Sequence, residues 1–414
     1  MANPKHLEIL RQGVGVWNTR RKENGEARPS GEPAGQPIPD LRHPDLHEAE
    51  LGGASLGLAE LGQADLRAAK LASADLRQAK LFGANLREAD LRQAFLRDAY
   101  LRGAELSRAD LRGAYGRSAN FIGANLVKAD FRGADLSGAV FFCADLRGAN
   151  LEECNLMGAF LREAGLSDAS LSQADLRSAD LQQTDLTAAN LTACDLREAN
   201  LARANLAEAD LQGANLGSAD LRAASLRGAK LHGAAMAGSW LDRADLQEVA
   251  GASGAALRTA RNWLFALYSQ SLLAELSLPA DHNARVLENN FRGQQLQGLT
   301  LQSAELASSD FSEADLREAR ILSSNLADAS FAEARLDDAD FTDTFLTAAD
   351  FTRASLRGAQ FAEADLTDAY LFGAELHGAD LSRASGVTWE QVAQASGDSF
   401  TLLPTLIPRP GHWT

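Results

Sequence analysis

Large apolar residues recur at every fifth position along most of this chain. From Ala189 to Leu221 it reads ANLTACDLREANLARANLAEADLQGANLGSADL, with Leu at 191, 196, 201 and each fifth residue after. Call that residue i. Ala stands at i−2, as at Ala199 and Ala204, Asp or Asn usually stands between, and i+1 and i+2 are polar or small. A helix needs apolar residues at three- and four-residue steps and a flat strand at two-residue steps. A period of five fits neither. One Leu and one Ala cannot form a core alone, so the units must stack until their apolar positions make a continuous interior.

The beat divides the chain. Residues 1–24 are expected to form an N-terminal helical cap, since PKHLEILRQGVGVWNTRRKE offers Leu7, Leu10 and Trp17 to one face, weakened by Gly13 and Gly15. Residues 25–40, rich in Pro and Gly, read as a linker. The first repeat block is 41–250, with i running from Leu41 to Leu246 in 42 units and only Gly116 breaking the apolar rule. Phe121 from a neighbouring coil, or a local bulge, is expected to compensate. The pattern lapses over 251–290, where continued phase would put Arg261, Ser271 and Asp281 inside a dry core. Ala255–Leu276 predicts an amphipathic helix ended by Pro279, with a short second helix after it. The second block, 291–385, has 19 units from Phe291 to Leu381. Residues 386–414 predict a helix capped by Thr388 and an extended, Pro-rich tail. An open solenoid end is a bare sheet edge, which both termini are expected to cover.

ADLRE and ANLRE, which occur almost verbatim, resemble the A(D/N)LXX signature of the pentapeptide-repeat family. The resemblance covers about three quarters of the chain. It implies an all-β solenoid: a right-handed quadrilateral β-helix of four pentapeptides per coil, with i and i−2 inward and the other three positions outward. The recurrence of Phe291, Phe311, Phe331 and Phe351, and of Phe121 and Phe141, independently supports a 20-residue coil, in which stacked rings form columns. The two ends are similar to flanks of many bacterial members.

Composition adds constraints. Net charge is −16, with 23 Lys+Arg against 29 Asp+Glu over 41–250 and 7 against 17 over 291–385. That balance argues against a direct nucleic-acid binder. No run approaches the roughly 18 apolar residues of a membrane helix, and Met1–Leu10 carries no signal-peptide core, which points to the cytoplasm. Cys154 and Cys194 fall at the inward i−2 position and Cys143 at i+2, while His43, His47, His232 and His377 fall on outward phases or flanks. These spacings hold no metal, cofactor or nucleophile motif, and a non-enzymatic protein is expected.

The outward positions are more informative. On a 20-residue coil, Phe82, Tyr100, Ile122, Val140, Phe142 and Phe160 share one face at i−1 and i+1, where the repeat wants polar residues. Phe95 and Tyr115 stack on the adjoining face. Clustered exposed apolar surface marks a partner site, unless a terminal helix or the linker lies over it. Trp263, Phe265 and Tyr268 are secondary candidates, either packed on the flank or carried on a protruding arm. The expected function is a bacterial cytoplasmic scaffold for a protein partner. The alternative comes from the resemblance: some family members mimic DNA and occupy the groove of DNA gyrase, a topoisomerase, which the acidic second block would suit.

Overall fold

A computed structural model describes residues 3–23 and 39–413. The chain divides into two compact units, Met1–Trp240 with Ala244–Ala260, and Leu241–Arg243 with Arg261–Thr414. The linker reading, apart from residues 39 and 40, lies outside the described residues.

In each unit, residues twenty apart are parallel β partners: Lys80 with Tyr100, Tyr100 with Asn120, and in the second unit Asp310 with Ser330. One circuit therefore takes four pentapeptides and has four sides. The hydrogen bonding of one pentapeptide explains its sequence. Leu81 N–H donates to Tyr100 O (2.8 Å) and Gly83 N–H to Arg102 O (3.1 Å), both in the next coil, while Asn85 N–H donates to Ala64 O (2.9 Å) in the previous one. Ala84 N–H closes the corner onto Leu81 O at 3.0 Å. Only the i+1 N–H lacks a backbone acceptor. Asp or Asn at i−1 supplies one: Arg67 N–H donates to Asp65 Oδ1 (3.2 Å) and Ile122 N–H to Asn120 Oδ1 (3.0 Å). This local turn bond is what short Asx side chains are suited to make, so the recurring Asp/Asn is a turn residue. The corner also drives i+2 to positive φ, 58° at Lys128 and 54° at Cys143. That costs about 1–2 kcal/mol for a residue with a Cβ, and the coil-to-coil bond from the same residue offsets it.

Where Arg follows at i+1, it returns to the same carboxylate. Arg67 Nε and Nη2 donate to Asp65 at 2.8 and 2.6 Å, and Arg197 repeats the arrangement on Asp195. These Arg bonds are the main reason that Asp65, Asp90, Asp145, Asp175 and Asp195 lie below the usual carboxylate range, and Arg42 holds Asp40 at about 2. A carboxyl more acidic in the folded chain stabilises it above the unfolded value, about 4, and loses that contribution as pH falls through the folded value. Burial pushes the His282 imidazole below its ordinary value, so some stability is lost as pH falls through about 6.5. Thermal melts followed by circular dichroism are expected to show a second, separate fall between about pH 4 and 2 from the carboxylates. A profile with no fall between about pH 4 and 2 would contradict the ladder.

The interior is a column of Leu or Phe at i and mostly Ala at i−2 on each side, almost all fully buried. Phe121 and Phe141 stack at 4.9 Å between centroids, and Phe131, half a circuit away, meets both edge-on at 6.1 and 6.4 Å. The second unit repeats this: Phe311, Phe331 and Phe351 stack in one column and Phe341 and Phe361 in another, and Phe351 meets both of the latter edge-on. No bulge compensates for Gly116. The backbone runs through unbroken, with Gly116 N–H on Asp135 O at 2.7 Å, and the Leu136 side chain from the next coil leans into the space.

Both ends are covered. The N-terminal segment is two helices, α1 (Pro4–Arg11) and α2 (Val14–Glu23), parted at Gly13, whose φ of 108° no ordinary side chain tolerates. They pair the first coil's free edge: Trp17 Nε1 donates to Ser55 O, Asn18 Nδ2 to Gly53 O and Arg21 Nη2 to Gly57 O, while Asn18 Oδ1 accepts from Ser55 N–H. At the far end α6 (Trp389–Val392) has a complete capping box on Thr388 and Gln391. Gln391 Nε2 donates to Leu366 O and Ala369 O, and Trp413 is buried against Ala395 O.

The 251–290 segment does not form the long helix expected over Ala255–Leu276. It contains α3 (Gly254–Leu257), a 3-10 turn at Trp263–Phe265, α4 (Gln270–Leu276) and α5 (His282–Leu287). Asn262, at φ 53°, breaks the helical path, and Arg243 N–H bonds Phe265 O. Arg261, Ser271 and Asp281 are exposed.

Candidate interaction surface

The sequence-predicted face lies wholly in the first unit. Tyr100, Val140 and Phe160 stand in one outward column with Lys80 and Asn120, linked through the successive bridges. Phe82, Tyr100, Phe142 and Phe160 are exposed, Phe160 by 52%, while Ile122 and Val140 are half-buried. Phe82 and Tyr100 meet at 5.7 Å, and Phe95 and Tyr115, on the adjoining side, stack at 5.2 Å and 11°. The described contacts of α1 and α2 fall on Asp40 to Gly57, a coil or more below this face. Exposed Met157, at i+1 on the side that carries Phe95 and Tyr115, extends the patch; the sequence reading named that side's i−1 aromatics but not its i+1 residues.

Each aromatic at i−1 forfeits the turn bond. Asn120 accepts from Ile122 N–H, but Tyr100, Val140 and Phe160 have no oxygen to offer the amides of Arg102, Phe142 and Arg162. The fold gains little from these rings. Cross-strand contacts contribute about 0.2–1 kcal/mol each, against about 0.5–1.5 kcal/mol for the bond given up.

The secondary candidates are corrected by the structure. Phe265 and Tyr268 are 2% and 1% exposed. Phe265 packs edge-on against Phe291 at 4.8 Å, and Tyr268 donates its hydroxyl to Trp263 O at 2.6 Å. Trp263 is half-buried against the second unit's core. Leaving the Phe and Tyr rings in water would cost more than the segment could recover, so they close over the core instead. Sequence reading missed a further apolar set, Phe345, Tyr370, Phe372, Trp389 and Phe400, all exposed in the second unit. Tyr370 and Phe372 stand at i−1 and i+1, the phases of Val140 and Phe142, and could have been found the same way.

Among the described residues there is no cluster of His, Cys, Asp and Glu suited to a metal, and no helix is long and apolar enough to cross a membrane. Cys154 and Cys194 are buried, their thiols pushed up to about 12 by burial; Cys143 is exposed beside Glu163.

The pentapeptide-repeats family model matches residues 45–115, 117–247 and 290–385, skipping Gly116 within the first block. Similar solved structures include HetL of the cyanobacterium Nostoc sp. strain PCC 7120, a pentapeptide repeat protein involved in heterocyst differentiation regulation, at 30% identity over 65% of this chain and 88% of that one, TM-score 0.28. Rfr23 of the cyanobacterium Cyanothece 51142 is 23% identical over 29% and 95%, TM-score 0.26. Full-length QnrB1, a plasmid-mediated fluoroquinolone resistance protein, is 18% identical over 53% and 90%, TM-score 0.21. No curated protein matches the chain. The family match spans well over half of the sequence: the chain belongs to the pentapeptide-repeat family, and its four-sided coils are those of a right-handed quadrilateral β-helix.

Proposed function

We propose that this protein is a non-enzymatic scaffold that binds a protein partner in a bacterial cytoplasm through the face carrying Phe82, Tyr100, Ile122, Val140, Phe142 and Phe160. One observation carries the reading. At Tyr100, Val140 and Phe160 the repeat's own turn residue has been replaced by an outward apolar side chain that forfeits a hydrogen bond. Features that work against the local fold mark function, and exposed Tyr and Phe are the anchors of binding hot spots. Three free thiols, one of them exposed, suit a reducing compartment.

The triple variant Tyr100→Asn, Phe142→Asn, Phe160→Asn is the test. Two of its changes restore the turn oxygen, so stability should shift by no more than about 1 kcal/mol, in either direction. Capture of the partner from host extract by the full chain should be lost. A variant that unfolds, or that still captures the same partner, contradicts the reading.

A second reading rests on the second block, where one side is free of Lys and Arg. Around its inward Leu306, Leu326, Leu346 and Leu366 it presents Glu305, Asp328, Asp365 and Asp368. This is the surface a DNA-mimicking inhibitor or protector of DNA gyrase would use. A supercoiling assay at micromolar protein and low salt tests it: an effect that fades with added salt supports it, and no effect removes it.

A further inference from the structure

Four pentapeptides combine an aromatic at i−1 with Arg at i+1: Phe95 and Arg97, Tyr100 and Arg102, Tyr115 and Arg117, Phe160 and Arg162. They lie on two adjoining sides of the first unit, Tyr100 and Phe160 on the face proposed above and Phe95 and Tyr115 on the side next to it. The substitution that exposes each ring also strips its Arg of a counter-charge. Elsewhere, as at Asp65 and Arg67 or Asp195 and Arg197, the i−1 carboxylate grips the i+1 guanidinium. Here Arg102 and Arg117 form no ion pair among the described residues, while Arg97 and Arg162 pair only with the neighbouring Asp98 and Glu163, at 3.4 and 3.5 Å, Arg162 also donating to Gln183 Oε1 at 3.4 Å. Four exposed guanidiniums thus stand beside aromatic rings on a chain of net charge −16.

Coil geometry bears on the partner's shape. Successive coils rise by about 4.8 Å. An α-helix laid along the axis offers one turn every ~5.4 Å, close to one turn per coil. Same-face residues of a strand fall about 6.7 Å apart and lose register within two coils. From Lys80 to Phe160 there are four coil steps, about 19 Å, which about 13 helical residues span. Resting this on the interaction face proposed above, we infer that its partner segment is an amphipathic α-helix of three to four turns whose apolar stripe, flanked by Asp and Glu, lies on the aromatic ladder. Its carboxylates take the place of the missing i−1 Asp and engage Arg97, Arg102 and Arg117. A single-stranded nucleic acid could also stack on the rings and pair with Arg, but four guanidiniums on an acidic chain favour a partner with a few carboxylates over a polyanion.

The test selects phage-displayed random 16-residue peptides on the full-length chain, then compares binding to Arg97→Glu, Arg102→Glu, Arg117→Glu and to the Tyr100→Asn, Phe142→Asn, Phe160→Asn variant. Thermal melts confirm that both variants are folded. The expected peptides carry apolar residues at i, i+3 or i+4 and i+7 with Asp or Glu beside them. They become helical on binding, bind at least ten-fold more weakly to the Arg variant, and weaken as salt rises. Peptides that need the aromatics but are basic, or alternate apolar and polar residues, overturn this inference and leave the interaction face standing. Peptides indifferent to the aromatics overturn both. No enrichment, or tight binding of a labelled 16-nucleotide single strand, also overturns the inference.

Discussion

Leu136→Ala is expected to be the most destabilising Leu→Ala substitution in the first block. Leu96, Gly116 and Leu136 occupy one inward column, one coil apart. A Cβ built on Gly116 would come within 2.9 Å of Leu136 Cδ2, so this one side chain occupies space that two would normally share. Truncating it empties both. Buried Leu→Ala changes cost about 2.7–5.0 kcal/mol, rising by about 24 cal/mol per Å³ of cavity left. Leu136 should therefore sit at or above the upper end, about 5 kcal/mol, while Leu196, with Leu above and below it, should sit near about 3 kcal/mol. Urea unfolding of Leu136→Ala and Leu196→Ala decides this, and equal losses would contradict it. Gly116→Ala should be mildly destabilising, because the atom it meets is the movable end of a side chain.

Replacing Trp17 and Arg21 together with Ala is expected to undock α1 and α2. Trp17 is buried and donates to Ser55 O, and Arg21 donates to Gly57 O. Losing a buried Trp side chain costs about 3–5 kcal/mol. The consequence extends past the cap: the edge from Gly53 to Gly57 would then present unpaired N–H and C=O groups at sheet spacing, a template for another chain. Size-exclusion chromatography with light scattering should show larger species than the parent, growing with concentration. Unchanged elution and melting would mean that the edge is protected some other way.

The five-residue beat made the coil legible because stacking fixes which positions face inward, and the Phe intervals reported the length of the circuit. Other features depend on contacts that no single stretch of sequence contains. The repeat announces Asp and Asn at i−1, yet their purpose appears only once four of the five amides are seen paired between coils or across the corner and the i+1 amide is left over. The filling of Gly116 by Leu136 depends on a residue one full coil away. Gly13 weakens a helix on its sequence alone, and its positive φ divides α1 from α2. The Trp263–Tyr268 aromatics looked available because the segment has no repeat; their burial follows from the core of the second unit, which the local sequence does not display. The outward aromatics were legible because they break the pattern at fixed phase, and Phe345 and Tyr370 break it in the same way.

Whether the aromatic face is a binding surface is tested most directly by oxidative footprinting of the full chain, free and in the complex captured from host extract. Tyr100, Phe142, Met157 and Phe160 should be readily modified in the free chain and protected in the complex, while Tyr370 and Phe372 stay equally reactive in both. Protection confined to Phe345, Tyr370 and Phe372, or a Tyr100–Phe160 face already unreactive in the free chain, would contradict the account.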